Sequence, residues 1–264
     1  MVSPLLVAAW HYRGFVVSSV VNDFRSRLAR SKLGTAWIVL HPMAQVLIFA
    51  TILSSVLAAR LQGVDNKYAY AVYLMSGILC WNLFAEILQR CLTVFIDNGS
   101  LLKKMQFPRI TLPLVVVGSA LVSNVALLAV MLVILPVLGF YPNQAWIWLP
   151  LLILLTVSLA TGLGLLLGTL NVFARDIGQV MVVILQFWFW VTPIVYPVEV
   201  LPAAFKSTLA LNPVAPLVMS YHDIIVYGRV PGISLAYTAA VALVMLALAF
   251  FVFRRASAEL VDSL

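Results

Sequence analysis

Long apolar runs separated by short polar breaks form the dominant pattern of this chain. From Ile110 to Ala174 no Asp, Glu, Lys or Arg occurs, a stretch of 65 residues. As one helix it would measure about 97 Å, roughly three times the hydrocarbon thickness of a bilayer. It must fold back, and Gly139-Phe140-Tyr141-Pro142-Asn143-Gln144 is the turn-rich interruption near its middle. Spans are therefore predicted at about 111–138 and 146–172. Upstream, 35–59 and 71–95 are comparable runs on either side of the polar segment 60–70. Downstream, 178–195 and 232–253 are apolar and long enough to cross. The pattern predicts an all-α polytopic membrane protein with six transmembrane helices.

Two segments depart from it. Over 14–33, Val17, Val21, Phe24 and Leu28 share one helical face, while Asn22, Arg25, Ala29 and Lys32 share another, and Arg27 and Arg30 widen the charged side. Residues 1–34 are thus expected to hold an amphipathic interface helix in the headgroup layer, in contact with membrane lipid and distinct from the six-span domain 35–264. It is either a plain anchor or one that also docks a partner. Residues 193–231 carry six prolines among apolar stretches too short to span. Short re-entrant helices before the last span are the predicted structure, with an external loop as the alternative. Broken backbone at membrane depth requires protein or a watery cavity around it.

Composition changes the picture by exclusion. Hydrophobic residues make up 64% and charged residues 9% of the 264 positions, too few charges for a water-facing exterior. A soluble enzyme, a disordered tail and a secreted disulfide scaffold are set aside. Eleven of the 16 Lys and Arg residues lie on the side of 1–34, 96–110, 173–177 and 254–264, and four on the opposite side. Cations favour the cytoplasmic side, so both termini are expected there, with the first 34 residues cytoplasmic. This placement also accounts for most of a basic isoelectric point near 9.6, and no nucleic-acid partner is expected. No cleavable signal is expected either, because no basic residue precedes the first apolar run. Cys80 and Cys91 would stand about 16 Å apart along one helix, out of disulfide reach.

Candidate chemistry is sparse. Glu86 and Arg90 are i, i+4 partners near the inner end of the second span and read as a structural pair, with Arg90 snorkelling to the headgroups. No acid stands at the midplane, where an ion-driven carrier needs one. Ala160, Gly164 and Gly168 recur every fourth residue, a packing stripe, and the Gly164–Thr169 segment lacks the lysine of a phosphate loop. His11, His41 and His222 are scattered, and no metal-binding or nucleophile motif is present, so neither a catalytic nor a metal site is expected. The short basic segment 98–109 predicts a brief helix between the second and third spans. Phe187-Trp188-Phe189-Trp190, just before Thr192-Pro193-Ile194-Val195-Tyr196-Pro197, points aromatic rings around the whole fifth span. Interfacial belts use such residues, and aromatic faces also stack on sugar rings. Phe187, Trp188, Trp190 and Tyr196, with Trp81 and Phe84 on the second span, are candidates for a sugar-contacting surface.

Several fragments together resemble the membrane subunit of bacterial ABC exporters of polysaccharides, most closely the O-antigen permeases. They are Asp23-Phe24-Arg25 with Leu33-Gly34, Trp37 and Pro42; Leu101-Leu102-Lys103-Lys104 with Phe107-Pro108-Arg109 and Leu112-Pro113; Asn171, Arg175-Asp176-Ile177, Leu185-Gln186, Pro193-Ile194 and Tyr196-Pro197; and Leu211-Asn212-Pro213. Their order and spacing cover residues 22–216. Thr192 stands where many members carry Ser.

The resemblance implies a homodimer around a central pathway in the bacterial inner membrane. Two copies of a separate ATP-binding subunit would sit beneath it, holding ATP and Mg, so this chain itself carries no cofactor. The cargo would be a polysaccharide linked to undecaprenyl diphosphate, moved from cytoplasm to periplasm. It also implies contact of the ATP-binding subunit with Asp23 and with Ser100, Leu101, Lys103, Lys104 and Phe107. Arg25, Arg27 and Arg30 become candidates for attracting the diphosphate. The alternatives are a capsule, teichoic-acid or small-molecule exporter permease of the same architecture, or a membrane enzyme acting on polyprenyl-linked sugars.

Overall fold

A computed structural model of the chain describes residues 11–29, 36, 37, 40, 43, 44, 65–104, 108–256 and 259. Most of the predicted first span, 35–59, lies outside these residues, as do Arg30 and Phe107. Among the described residues the regular structure is entirely helical. Four helices are long and apolar enough to cross a membrane: Ala69–Asp97, Thr111–Val137, Gln144–Phe173 and Leu235–Ala256. They fall on the predicted spans 71–95, 111–138, 146–172 and 232–253.

We label the α-helices α1 (Arg13–Ala29), α2 (Ala69–Asp97), α3 (Gly99–Lys104), α4 (Thr111–Val137), α5 (Leu149–Phe173), α6 (Asp176–Val191), α7 (Ala203–Leu209), α8 (Ala215–Ile225) and α9 (Leu235–Ala256). α6 is a shorter apolar helix than expected. Its predicted limit of 195 is corrected by local chemistry. Thr192 precedes Pro193 and adopts an extended conformation with ψ 137°, because the proline ring disfavours helical geometry in the residue before it.

The other turns follow from side-chain chemistry in the same way. α4 gives way to Gly139, whose φ of +88° suits a residue without a Cβ. Asn143 then opens a turn of 3₁₀ helix over Gln144–Trp148 by accepting the Ala145 N–H on its Oδ1 at 2.8 Å. Asn66 Nδ2 donates to the Leu138 carbonyl at 2.9 Å, tying the start of α2 to the α4–α5 turn.

α2 is the axis of the bundle. Most of its residues are buried, and α4, α5, α6 and α8 all pack against it. The small-residue stripe of α5 is what lets it approach. A Cβ on Gly164 would lie 2.7 Å from the Cβ of Cys91, and one on Gly168 would meet the Cys91 carbonyl oxygen. On its other side α5 brings Gly162 against Met245 and Leu246 of α9. Two asparagines add polar ties to α2: Asn124 Nδ2 donates to the Leu79 carbonyl at 3.0 Å, and Asn171 Nδ2 to that of Leu92 at 2.8 Å. Asn171 Oδ1 also accepts the Gly178 N–H, fixing the first turn of α6. Cys80 and Cys91 are buried free thiols.

α1 packs on α4, with Val20 against Gly118. Val20 meets the bundle, filling a groove that α4 presents at Gly118, while Val17 and Val21 remain exposed. α1, α3 and the end of α9, where Phe253 stacks on Phe95 at 5.7 Å, all gather at the Asp97 end of α2.

Candidate functional site

Between the middle of α2 and its Ala69 end, the aromatic run of α6 divides into two faces. Consecutive helical residues are rotated by about 100°, so four rings cannot share one side. Trp188 meets Phe84 edge-on at 5.3 Å, Phe189 meets Trp81 edge-on at 5.6 Å, and Trp81 and Phe84 are themselves 5.6 Å apart. These four rings interlock within the chain. Phe187 and Trp190 point the other way and are 70% and 56% exposed. Val180, Val183, Ile184 and Val191 continue that exposed stripe.

Of the six predicted surface aromatics, Phe187 and Trp190 thus lie on one exposed face. Tyr196 is half-buried beside them, its hydroxyl donating to the Trp190 carbonyl at 2.7 Å. Trp81 and Phe84 are enclosed by their own chain, and Trp188 is half-buried between the two faces. Phe189 belongs to the interlock although its position in the run did not distinguish it from its neighbours. Asn212 and Thr192 also join the site: Asn212 bonds the Trp188 indole N–H at 2.9 Å and Thr192 Oγ1 at 3.0 Å. The sequence marked both only as parts of the family resemblance, with no role assigned to either.

The segment 193–231 wraps this end of the bundle. Tyr70 donates its hydroxyl to the Val195 carbonyl at 2.8 Å and Tyr73 donates to that of Tyr196 at 3.1 Å. α8 is almost wholly buried, with Tyr221 and Ile224 fully enclosed. Its His222 ring stacks on Tyr73 at 3.6 Å, in space left by Gly77, where a Cβ would come within 2.8 Å of Nε2.

A different constellation occupies the Asp97 end. Arg90 donates to Asp23 Oδ2 at 2.9 Å and to Glu86 Oε1 at 3.4 Å. The expected Glu86–Arg90 pair is present, and Arg90 also reaches Asp23 on α1. Asp23, Arg90, Asp97 and Leu101 line a cleft of about 280 Å³ whose apolar wall includes Phe15 and Val115. On α3, Leu101 is half-buried, whereas Ser100, Lys103 and Lys104 are exposed, as is Arg25 on α1. The Arg27 side chain, Arg30 and Phe107 lie outside the described residues. Asp23 and Leu101 are therefore brought to one cleft, with the exposed α3 cations beside it.

The model of a family described as ABC-2 type transporter matches residues 16–226 of the chain. Over 233 residues the chain is 29% identical to the O-antigen export system permease protein RfbA of Klebsiella pneumoniae, covering 87% of this chain and 88% of that protein. It is 29% identical to the O-antigen export system permease protein RfbA of Myxococcus xanthus over 258 residues, 97% of each. Similarity extends to the polysialic acid transport protein KpsM of Escherichia coli, 23% identical over 91% of this chain and 95% of that one.

Proposed function

Because the chain belongs to the ABC-2 type transporter family, we propose that it is the transmembrane subunit of an ATP-driven polysaccharide exporter whose cargo is O-antigen linked to undecaprenyl diphosphate. The observation that carries this reading is the near end-to-end similarity to two proteins named for O-antigen export. The chain is then a transport subunit, and ATP with its Mg is held by a separate partner.

In this reading the chain has six spans, with residues 35–59 supplying the first and α6 the fifth. Two copies face each other across the pathway in the bacterial inner membrane. Both termini are cytoplasmic, which puts the Asp97 end of α2 inside. The position of Lys103, Lys104, Arg109, Arg175, Arg254 and Arg255 at that end supports this orientation. α1 is the interface helix, its exposed Val17 and Val21 turned to lipid. The exposed α3 residues Ser100, Lys103 and Lys104 are the seat of the ATP-binding subunit. Asp23 and Leu101 hold the adjoining cleft, and Phe107 completes the same loop. Arg25, with Arg27 and Arg30, draws the diphosphate headgroup by charge. α7 and α8 are the re-entrant helices, and the burial of α8 against α2 and α5 supports the protein enclosure that broken backbone needs at membrane depth.

The exposed face of α6 is the surface on which the glycan slides. Phe187 and Trp190 offer apolar ring faces to successive sugars, Tyr196 adjoins them, and Trp81, Phe84 and Trp188 brace them from behind. Stacking of this kind tolerates sequence variation because it reads ring faces rather than individual hydroxyls.

Deletion of the gene in cells making O-antigen is the direct test. Lipid-linked polymer is expected to accumulate inside and surface O-antigen to disappear. An ATPase-dead partner subunit should reproduce the effect. Undiminished surface O-antigen in the deletion would refute the reading.

A further inference from the structure

The turn Leu211-Asn212-Pro213 gathers parts of the chain that are far apart in sequence. The buried Asn212 carboxamide is engaged at both ends. Its Oδ1 accepts the indole N–H of Trp188 at 2.9 Å and the backbone N–H of Val214 at 3.0 Å. Its Nδ2 donates to Thr192 Oγ1 at 3.0 Å, and that hydroxyl donates to the Trp188 carbonyl at 2.7 Å. The orientation of the amide is dictated by its partners, since an indole N–H and a backbone N–H only donate. The flanking carbonyls are occupied as well: Leu211 by the Tyr237 hydroxyl at 3.1 Å and Pro213 by the Thr238 hydroxyl at 2.9 Å. One turn thereby joins the end of α6 to the start of α9.

Trp188 is consequently held at two points, its ring edge-on to Phe84 and its N–H on Asn212. Phe187 and Trp190 lie on the same helix one residue before and two residues after it. Whatever fixes the rotation of Trp188 about the α6 axis also fixes theirs. The network further accounts for Thr192, where a hydroxyl is what bridges the amide to the helix end, a role Ser also fills.

We propose that Asn212 is a positioning residue for export, acting through the Trp188 indole N–H to set the direction in which α6 presents Phe187 and Trp190 to the cargo glycan. The proposal rests on the reading of that face as the glycan surface. Asn is suited because it supplies acceptor and donor from one short side chain. Asn212→Ala strips partners from the Trp188 N–H, the Val214 N–H and the Thr192 hydroxyl, and Trp188→Phe removes the N–H and part of the indole's volume while leaving Asn212 in place and keeping an aromatic ring.

The test compares Trp188→Phe, Asn212→Ala, their double variant, Thr192→Val and Thr192→Ser in the complete exporter. Surface O-antigen per folded permease is one readout. The other is the fluorine resonance of 5-fluorotryptophan at Trp190, assigned by its loss in Trp190→Phe. Trp188→Phe, Asn212→Ala and Thr192→Val are each expected to lower export about fivefold, the population equivalent of one lost hydrogen bond, and to shift the Trp190 resonance. The double variant should export no less than the weaker single, and Thr192→Ser should restore both readouts. Where Asn212→Ala lowers the amount of folded protein, Trp188→Phe and Thr192→Ser carry the comparison. Additive losses in the double variant, or export losses with an unmoved Trp190 resonance, would overturn the proposal. So would normal export from Trp188→Phe. Undiminished O-antigen in the gene deletion would instead sink the exporter reading, while leaving the fluorine coupling between Asn212 and Trp190 in place.

Discussion

Arg90 and Asp23, 67 residues apart in sequence, meet at 2.9 Å and fasten α1 to α2. Each side chain keeps about a quarter of its surface exposed, so the pair has neither the full desolvation cost of a buried bridge nor the weakness of a free surface pair. Asp23→Asn and Arg90→Gln are each expected to loosen α1 by about 1 kcal/mol, read as faster amide exchange over residues 13–29. Swapping the charges, Asp23→Arg with Arg90→Asp, should recover part of the protection. No recovery would mean that the two groups act independently.

The exposed and enclosed aromatics should separate cleanly on substitution. Trp81→Ala and Phe84→Ala each remove an enclosed ring and are expected to cost about 3–5 kcal/mol, visible as loss of monodisperse protein in detergent. Phe187→Ala and Trp190→Ala leave exposed positions, so folded protein should persist while export falls. Full export from both exposed variants would remove the sliding-surface idea and leave the family membership intact.

Two helix glycines should behave in opposite ways. At Gly168 a methyl group would collide with the Cys91 carbonyl oxygen, a backbone atom that cannot swing aside. Gly168→Ala is therefore expected to destabilise by about 2 kcal/mol or more, comparable to severe overpacking. Around Gly14 nothing lies within 4 Å, and Gly14→Ala should stabilise α1 by about 0.5–1 kcal/mol through helix propensity. Thermal unfolding of the two variants beside the parent checks both signs.

Sequence pattern located the long helices well because a charge-free run leaves few ways to cross a bilayer, and the Gly139–Gln144 break and the Ala160-Gly164-Gly168 stripe each carry their cause in the residues themselves. Contacts made across the fold were harder to read. Nothing in Asp23 or Arg90 announces a partner 67 residues away, so Arg90 read as a snorkelling cation. The aromatic run advertised rings without revealing which way each faces, since that depends on where Trp81 and Phe84 fill the space behind them. Asn212 stood in a recognisable motif, yet its use emerged only when Trp188 and Thr192 were brought to it. The limit of α6 was legible in principle, because Pro193 disfavours helix in the residue before it.

α2 is gripped at both extremities, by α1 through Arg90 and by the proline-rich segment through Tyr70, Tyr73 and the Gly77–His222 contact. Some 17 residues separate Arg90 from Tyr73, a strut of about 26 Å. A continuous helix resists stretching and compression, so tilting one extremity obliges the other to swing. Leverage applied at α1 must therefore either break the Arg90 clasp or arrive at α8.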